Sequence, residues 1–316
     1  MRQGLKSEAR WTRRRFVQCS TMAAAAVPLF GAVSKKQSLP IGFSTLGCPA
    51  WDWRKILDFA QQNGFAAVEL RGLQGNMDLP SRPEFAAEHI DQSKKEVSAR
   101  GLRISCVSSS ANMHDTDPEK HGQQIADAKR FIDLAATLGV PYVRVFGNKI
   151  VGTRELAIKN VAQSLRTLGD YADPKGVTVL IESHGDFTDS PTLRAIFEQA
   201  DSPHVALLWD AHHTFVAGKE DPAFTVAQVG KYIRHTHLKD SVRKGEGDDV
   251  HYVLTGRGQV PVKRQVEELV KIGYQGYYSF EWEKVWHPDL EEPEIAFPDY
   301  ARAMREYLSE ARLSAK

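Results

Sequence analysis

Short apolar runs alternate along the chain with longer stretches that have helical spacing. Eight runs predict strands: 41–44, 67–70, 103–107, 142–146, 178–182, 205–210, 233–237 and 277–281. Between these runs, apolar residues recur at intervals of three or four, as at Ile125, Ala128 and Ile132, which is typical of amphipathic helices. Strands that alternate with helices in this way form parallel sheets.

Glycines close five of the predicted helices shortly before the next strand, because glycine adopts the left-handed conformation without a Cβ penalty. They are Gly64, Gly101, Gly139, Gly176 and Gly273. Eight strand–helix units fit a (β/α)8 barrel, whose usual size is ~250 residues. The alternative, a doubly wound open sheet, usually carries a glycine-rich phosphate loop after an early strand, and we find none. We therefore predict α/β architecture with a single (β/α)8 TIM barrel over residues 35–316.

Residues 1–34 differ in charge from the rest of the chain. They hold six basic residues and one acidic residue, net +5, which leaves 35 basic and 39 acidic residues, net −4. A basic segment around Arg13-Arg14 precedes the alanine-rich run 22–33, and this order predicts a signal peptide. The arginine pair followed by Phe16 resembles the twin-arginine export signal. We expect export machinery as a partner and a periplasmic or extracellular location; a membrane-surface anchor or a disordered terminus are the alternatives.

Composition excludes several other classes of protein. Apolar residues make up 42% and charged residues 26%, as in a soluble globular protein with a well-filled core. Three cysteines are too few for a disulfide scaffold or a cysteine-based zinc module. Two of them, Cys48 and Cys106, follow the predicted leader, where pairing stays open but buried free thiols are favoured. No later run reaches the ~20 apolar residues that span a bilayer.

Four successive predicted strands end in a carboxylate or an imidazole: Glu182, Asp210, His237 and Glu281. One such residue is usually a helix cap or a solvated rim residue. Four in a row indicate a site, because the carboxyl ends of barrel strands share one mouth. Converging carboxylates raise each other's pKa, and a divalent cation relieves the repulsion. Hard oxygen ligands without a thiolate favour Mn²⁺, with Co²⁺ or Mg²⁺ as alternatives.

Further side chains near these strand ends are candidates for the same mouth. His184 lies two residues after Glu182 and is a candidate substrate contact. Lys239 and Arg257 are cations that neutralise an anionic intermediate or bind a substrate carboxylate, with rim salt bridges as the alternative. Helix capping or solvation is the favoured interpretation for Glu69, Arg71 and His114. Trp51, Trp53 and Trp282 fit either sugar stacking or core packing.

The motifs at these positions resemble those of xylose-isomerase-like barrels, a superfamily that includes ketose 3-epimerases, hydroxypyruvate isomerases and inosose dehydratases. They are Ile181-Glu182-Ser183-His184-Gly185, Trp209-Asp210-x-x-His213, His235-x-His237, Gly256-Arg257-Gly258 and Phe280-Glu281. The resemblance implies that Glu182, Asp210, His237 and Glu281 bind the metal and that Glu182 and Glu281 also act as acid and base. It implies that His213 and Arg257 contact substrate. Barrels of this superfamily often form dimers, so a homo-oligomer is expected. The run His184-Gly185-Asp186 departs from the ketose-epimerase pattern and leaves the sugar open.

The first functional hypothesis is a divalent-metal-dependent isomerase or epimerase that transfers a proton through an enediolate of a ketose or keto-sugar. The second is a lyase or dehydratase of the same fold, which eliminates a β-substituent from a keto-sugar or 3-keto-glycoside. A non-catalytic exported sugar-binding barrel is the third. Endonuclease IV shares the barrel, but a net charge of −4 after the leader offers no phosphate-steering field, so we expect no nucleic-acid partner.

Overall fold

The computed structural model describes residues 39–245 and 249–314, and these residues belong to one compact unit. The predicted leader, 1–34, lies outside the described residues. The strands are β1 (Ile41–Ser44), β2 (Ala67–Leu70), β3 (Arg103–Asn112), β4 (Tyr142–Asn148), β5 (Thr178–Gly185), β6 (Val205–Asp210), β7 (Ile233–Leu238), β8 (Asp240–Arg243), β9 (Val250–Val253) and β10 (Tyr278–Phe280). All but β8 and β9 close into a parallel barrel in the order β1-β10-β7-β6-β5-β4-β3-β2. The predicted (β/α)8 barrel is confirmed.

Helices connect the barrel strands. They are α1 (Trp53–Gln62), α2 (Ile90–Ala99), α3 (Pro118–Leu138), α4 (Arg154–Ala172), α5 (Ser190–Ala200), α6 (Ala211–Val216), α7 (Pro222–Val229), α8 (Val262–Lys271) and α9 (Pro293–Ser314). Capping carboxylates begin several of them; Asp52, for example, accepts from the N–H of Lys55 at 2.8 Å. The five glycines predicted to end helices all have positive φ, between +67° and +74°. None of the described helices is long and apolar enough to cross a membrane.

Several strands run further toward the mouth than the sequence predicted. β3 continues to Asn112, β4 to Asn148 and β5 to Gly185, and pairing persists to the end, where Asn148 opposes Gly185. β10 is shorter than predicted and stops at Phe280, so Glu281 directly follows it. These extensions place polar side chains in the mouth instead of in connecting loops.

The antiparallel hairpin of β8 and β9 was not predicted, because its charged sequence has no apolar alternation. The carboxylate of Asp240 fixes its base by accepting from the backbone N–H groups of Ser241, Gly256, Gly258 and Val260 at 2.8–3.1 Å. A Cβ at Gly258 would lie 2.1 Å from Asp240 Oδ1, so this close approach requires glycine.

The barrel interior changes from apolar to polar toward the mouth. A small buried cluster of Cys106, Leu180, Ala206 and Leu208 fills one level. Alternate residues of a strand share a face, so Glu182 follows Leu180 and Asp210 follows Leu208 on the inner surface. Trp51, Trp53 and Trp282 are part of the main hydrophobic core, so core packing is the correct one of the two interpretations of these residues. Cys48 and Cys106 are free and buried, as expected.

Candidate metal centre

The four predicted ligands meet at the carboxyl ends of the strands. Glu182, Asp210, His237 and Glu281 are each at most 4% exposed, and one donor atom from each lies within 4.8 Å of the others. His237 Nδ1 is 3.1 Å from Glu281 Oε1, 3.7 Å from Glu182 Oε1 and 3.9 Å from Asp210 Oδ2. Three carboxylates and one imidazole nitrogen therefore face a single point.

Glu69 orients the imidazole of His237 from the opposite side. His237 Nε2 and His235 Nε2 each lie 2.8 Å from Glu69 Oε2, and Ser108 Oγ donates to Oε1 at 2.8 Å. An ionised carboxylate only accepts, so both imidazoles donate through Nε2, and Nδ1 of His237 faces the other carboxylates. The expectation of a capping or solvated Glu69 was wrong, since this side chain is completely buried.

The electrostatics keep Glu69 charged. Burial alone would raise its pKa, but His237 and His235 hold the pKa well below its usual range. The sequence placed Glu69 near the end of a strand, but a single carboxylate at such a position is usually a helix cap or faces solvent, so its buried role was not predicted.

Arg144 holds the first predicted ligand. Its Nε lies 3.1 Å from Glu182 Oε2, and its guanidinium stacks on the Phe146 ring at 3.9 Å. Burial would raise the pKa of Glu182, and the charge of Arg144 lowers it below its usual value. Glu182 Oε2 is buried and held by this ion pair. The other oxygen, Oε1, faces Nδ1 of His237, a buried nitrogen with no hydrogen bond among the described residues, and this pair of atoms fits a metal-ligand set.

Lys239 lies inside the carboxylate cluster instead of at its rim. Its Nζ is 2.6 Å from Asp210 Oδ2 and 3.0 Å from Glu283 Oε1, and it also donates to Glu281 Oε2. Burial alone would lower the pKa of Lys239, but Asp210, Glu281 and Glu283 raise it well above its usual value. The ammonium is therefore charged at neutral pH. Glu283 follows Glu281 by two residues, and in an extended segment this spacing places both carboxylates on the same face. The sequence therefore contained a signal for Glu283 that the prediction did not include.

The buried charges leave room for a divalent cation. Five carboxylates belong to the cluster: Glu69, Glu182, Asp210, Glu281 and Glu283. Three cations face them: Arg71, Arg144 and Lys239. The difference is −2, which one divalent ion neutralises. The donor set therefore fits such an ion.

Protons supply part of the missing positive charge. Burial, with Glu281 and Glu182, raises the pKa of Asp210 to about 7, although Lys239 opposes the rise. Burial would lower the pKa of His237, yet the charges of Glu281, Glu69 and Glu182 raise it well above its usual value. Both groups must lose their protons to bind a metal.

Two of the predicted substrate contacts lie beside the cluster. The backbone N–H of His213 donates to Asp210 Oδ1 at 3.0 Å, and the His213 and His184 rings are 5.0 Å apart. Burial and the charge of Lys239 hold the pKa of His213 well below its usual value, so its ring is neutral at pH 7. Arg257 is not brought into the cluster. Its side chain is 61% exposed and pairs with Asp299 at 3.3 Å.

The fold resembles those of several solved structures. The IOLI protein with a bound zinc atom superposes with a TM-score of 0.72 at 19% identity, covering 86% of this chain and 99% of that one. An L-ribulose 3-epimerase gives 0.72 at 18% identity, covering 87% and 96%. The 3-keto-D-glucoside 4-epimerase YcjR from E. coli gives 0.66 at 18% identity, covering 87% and 99%.

The amino-acid sequence was also compared with known proteins and families. No curated protein matches the chain. The family model described as xylose isomerase-like TIM barrel matches residues 57–307, well over half of the chain. The chain therefore belongs to the xylose isomerase-like TIM barrel family.

Proposed function

We propose that this protein is a divalent-metal-dependent sugar isomerase or epimerase that transfers a proton at the carbon next to a carbonyl. One observation carries the proposal: Glu182, Asp210, Glu281 and His237 Nδ1 converge within 4.8 Å in a buried site. The fold likeness to an L-ribulose 3-epimerase and a 3-keto-D-glucoside 4-epimerase supports a ketose or keto-sugar as substrate.

The four converging side chains would hold the metal, with Mn²⁺ as the proposed ion and Co²⁺ or Mg²⁺ as alternatives. When bound, a divalent ion supplies Lewis acidity toward substrate oxygens. Glu69 would keep Nδ1 of His237 aimed at the ion, and Arg144 would fix the carboxylate of Glu182.

Glu182 and Glu281 are the proposed acid and base. The pKa of each carboxyl lies below its usual value, against the effect of burial: Arg144 has the largest lowering effect on Glu182, and His237 has it on Glu281. Both are therefore ionised at neutral pH and can accept a proton from a substrate carbon. One carboxylate would remove that proton, and the same or the other would return it to the opposite face or the neighbouring carbon. Positioned groups of this kind contribute about 10²–10⁴ in rate.

The rings at the mouth are proposed to orient the sugar. His213 is neutral at pH 7, so its ring can donate a hydrogen bond to a hydroxyl or accept one from it. His184 lies beside it, with its Nδ1 3.2 Å from Asn148 Oδ1. Arg257 remains a proposed substrate contact at the outer rim.

A lyase is the second candidate, and the position of Lys239 favours it. Its ammonium lies next to Glu281 and Glu283, where it could protonate a departing oxygen. Proton removal next to the carbonyl would then be followed by loss of a β-substituent. Glu182 and Glu281 would have the same first role in both reactions.

The test is proton NMR after incubation of substrates in D₂O with Mn²⁺-loaded enzyme. Before spectra are recorded, the Mn²⁺ in the sample is replaced by Mg²⁺. Ketoses and 3-keto-glycosides are incubated in parallel with wild type, the Glu182→Gln variant and the Glu281→Gln variant. Deuterium at one carbon without loss of a group supports the isomerase or epimerase; a released aglycone or hydroxyl supports the lyase. Equal deuterium incorporation in wild type and both variants would overturn the assignment of the acid and base.

Export is a further part of the proposal. The Arg13-Arg14 pair and the alanine-rich run after it support a twin-arginine signal in residues 1–34. The enzyme would then act on carbohydrate outside the cytoplasm.

A further inference from the structure

Lys239 is the one lysine with no exposed surface among the described residues, and it lies between β7 and β8. Its ammonium contacts three carboxylates: Asp210, Glu281 and Glu283. A buried ammonium is stable only when charged partners replace its hydration shell, and here three of them do. The position is therefore fixed by electrostatics and not by packing alone.

Two of these three partners are proposed metal ligands. Asp210 Oδ2 lies 2.6 Å from Lys239 Nζ and 3.9 Å from His237 Nδ1, so one oxygen faces both the ammonium and the proposed metal position. Two cations that share this oxygen repel each other, and the repulsion is strong in a buried site. A divalent ion and the ammonium must therefore divide the carboxylate oxygens between them.

The third partner and a neighbouring ring lie outside the proposed ligand set. Glu283 Oε1 is 3.0 Å from Nζ, and the Tyr252 ring centroid is 5.9 Å away. Both can stabilise an ammonium, the first as an ion pair and the second through its π face. The lysine thus keeps favourable partners when Asp210 and Glu281 turn to a divalent ion.

We propose that Lys239 is a tethered counter-cation of the metal centre, which holds Asp210 and Glu281 together and competes with the divalent ion for their oxygens. The inference rests on the proposed metal-dependent function. As a consequence, the positive charge of Lys239 keeps the affinity of the site for a divalent ion moderate. When the ion binds, Glu283 remains as the ion-pair partner of the ammonium.

Replacement of Lys239 by methionine tests the proposal, because methionine keeps the length and removes the charge. In isothermal titration of chelator-treated, dialysed protein with Mn²⁺, we expect Lys239→Met to bind more tightly by about tenfold or more. Its metal-free form should melt at a lower temperature than wild type, and added Mn²⁺ should raise its melting temperature by more. Lys239→Gln, which keeps a hydrogen-bond donor, is measured in the same way in case the methionine variant does not fold.

Lys284→Met is the matched control. Lys284 is also a buried lysine, but it bonds to Pro288 O, Leu290 O and Glu292 in the loop after β10. Its loss should lower the melting temperature and leave the Mn²⁺ affinity unchanged. Unchanged or weaker affinity in both Lys239 variants would overturn the inference while leaving the metal centre in place. Wild type that binds no divalent ion would overturn the proposed function itself.

A double-mutant cycle tests the role of Glu283. Glu283→Gln removes the alternative partner of the ammonium, so Mn²⁺ binding should weaken in the wild-type background. The same change should weaken binding much less when Lys239 is methionine, because no ammonium then needs a partner. Equal losses in both backgrounds would show that Glu283 acts only through its own charge and would contradict its role as the receiving partner.

Discussion

At the scale of single residues, the imidazole of His237 joins two layers of the site. Its Nε2 is bound to Glu69, and its Nδ1 faces three carboxylates. Metal-binding histidines commonly donate their second nitrogen to a carboxylate, which fixes the tautomer and the ring plane. The affinity of the site should therefore depend on a residue that does not face the proposed ion.

Glu69→Gln should reduce Mn²⁺ affinity by about 10- to 100-fold while the barrel stays folded. The amide keeps the size of the side chain but loses the charge that accepts from two imidazoles. Isothermal titration gives the affinity, and the visible spectrum of the Co²⁺-loaded protein reports a change of the ligand field at His237. Ser108→Ala, which removes only the donor to Oε1, is the control and should have a small effect. Identical spectra and affinities for Glu69→Gln and wild type would contradict the orienting role.

Metal binding should become tighter as the pH rises from 6 to 8. The pKa of Asp210 is raised to about 7 and that of His237 is raised well above its usual value, so both hold protons that a metal must displace. Affinity then increases by about tenfold per pH unit for each proton released. Titrations in buffers of different ionisation enthalpy count these protons directly. An affinity independent of pH over this range would show that the ligands are already deprotonated.

The sequence identifies the four proposed metal ligands more readily than the residues that orient them. Glu182, Asp210, His237 and Glu281 follow apolar runs at strand ends, where barrel topology alone brings side chains together. Arg144 and Glu69 lie within strands, and their effect depends on which inner layer they reach. The inner layer that each side chain reaches depends on how neighbouring strands are shifted relative to one another in the barrel. The sequence of a single strand does not determine this shift.

At the scale of elements, the β8–β9 hairpin and the loop that ends at Val260 depend on one carboxylate. Asp240 accepts four backbone N–H groups, and the neighbouring residue Lys239 extends into the cluster from the opposite side of the chain. A charged sequence without alternation predicts a loop, so the hairpin could not be predicted. Three of these four bonds join Asp240 to residues 16 to 20 positions further along the chain, which local sequence does not indicate.

Asp240→Ala should lower the free energy of unfolding by on the order of 3 kcal/mol, because four backbone donors, two of them buried, lose their acceptor. Hydrogen exchange measured by NMR should accelerate at the amides of Ser241, Gly256, Gly258 and Val260. Asp299→Ala removes the partner of the exposed Arg257 instead and should leave those amides protected. Unchanged exchange in Asp240→Ala would mean that the hairpin base is held by other contacts.

At the scale of the whole molecule, the basic segment 1–34 differs in charge from the barrel, in which many acidic and basic side chains form ion pairs. Periodicity and helix-ending glycines were sufficient to predict the barrel, because both derive from local backbone rules. The sugar could not be predicted, since it depends on how side chains from different strands meet at the mouth.

Arg13-Arg14→Lys-Lys should block export and leave folded, metal-loaded precursor in the cytoplasm, because the twin-arginine route reads that pair. Cell fractionation followed by immunoblotting and metal analysis of the retained protein checks this. As a control, Lys35-Lys36→Gln-Gln changes charge beyond the predicted leader and should leave export intact. Export of the Lys-Lys variant at the wild-type level would contradict the proposed signal.

The most direct test of the central claim is anomalous diffraction at the manganese edge from crystals soaked in Mn²⁺. We expect one strong peak within bonding distance of Glu182, Asp210, Glu281 and Nδ1 of His237. Two other groups of side chains could in principle hold an ion: Glu69 with His235 and His237, and Asp210 with His212 and His213. A peak at either of these groups, or no peak at the four converging ligands, would contradict the account.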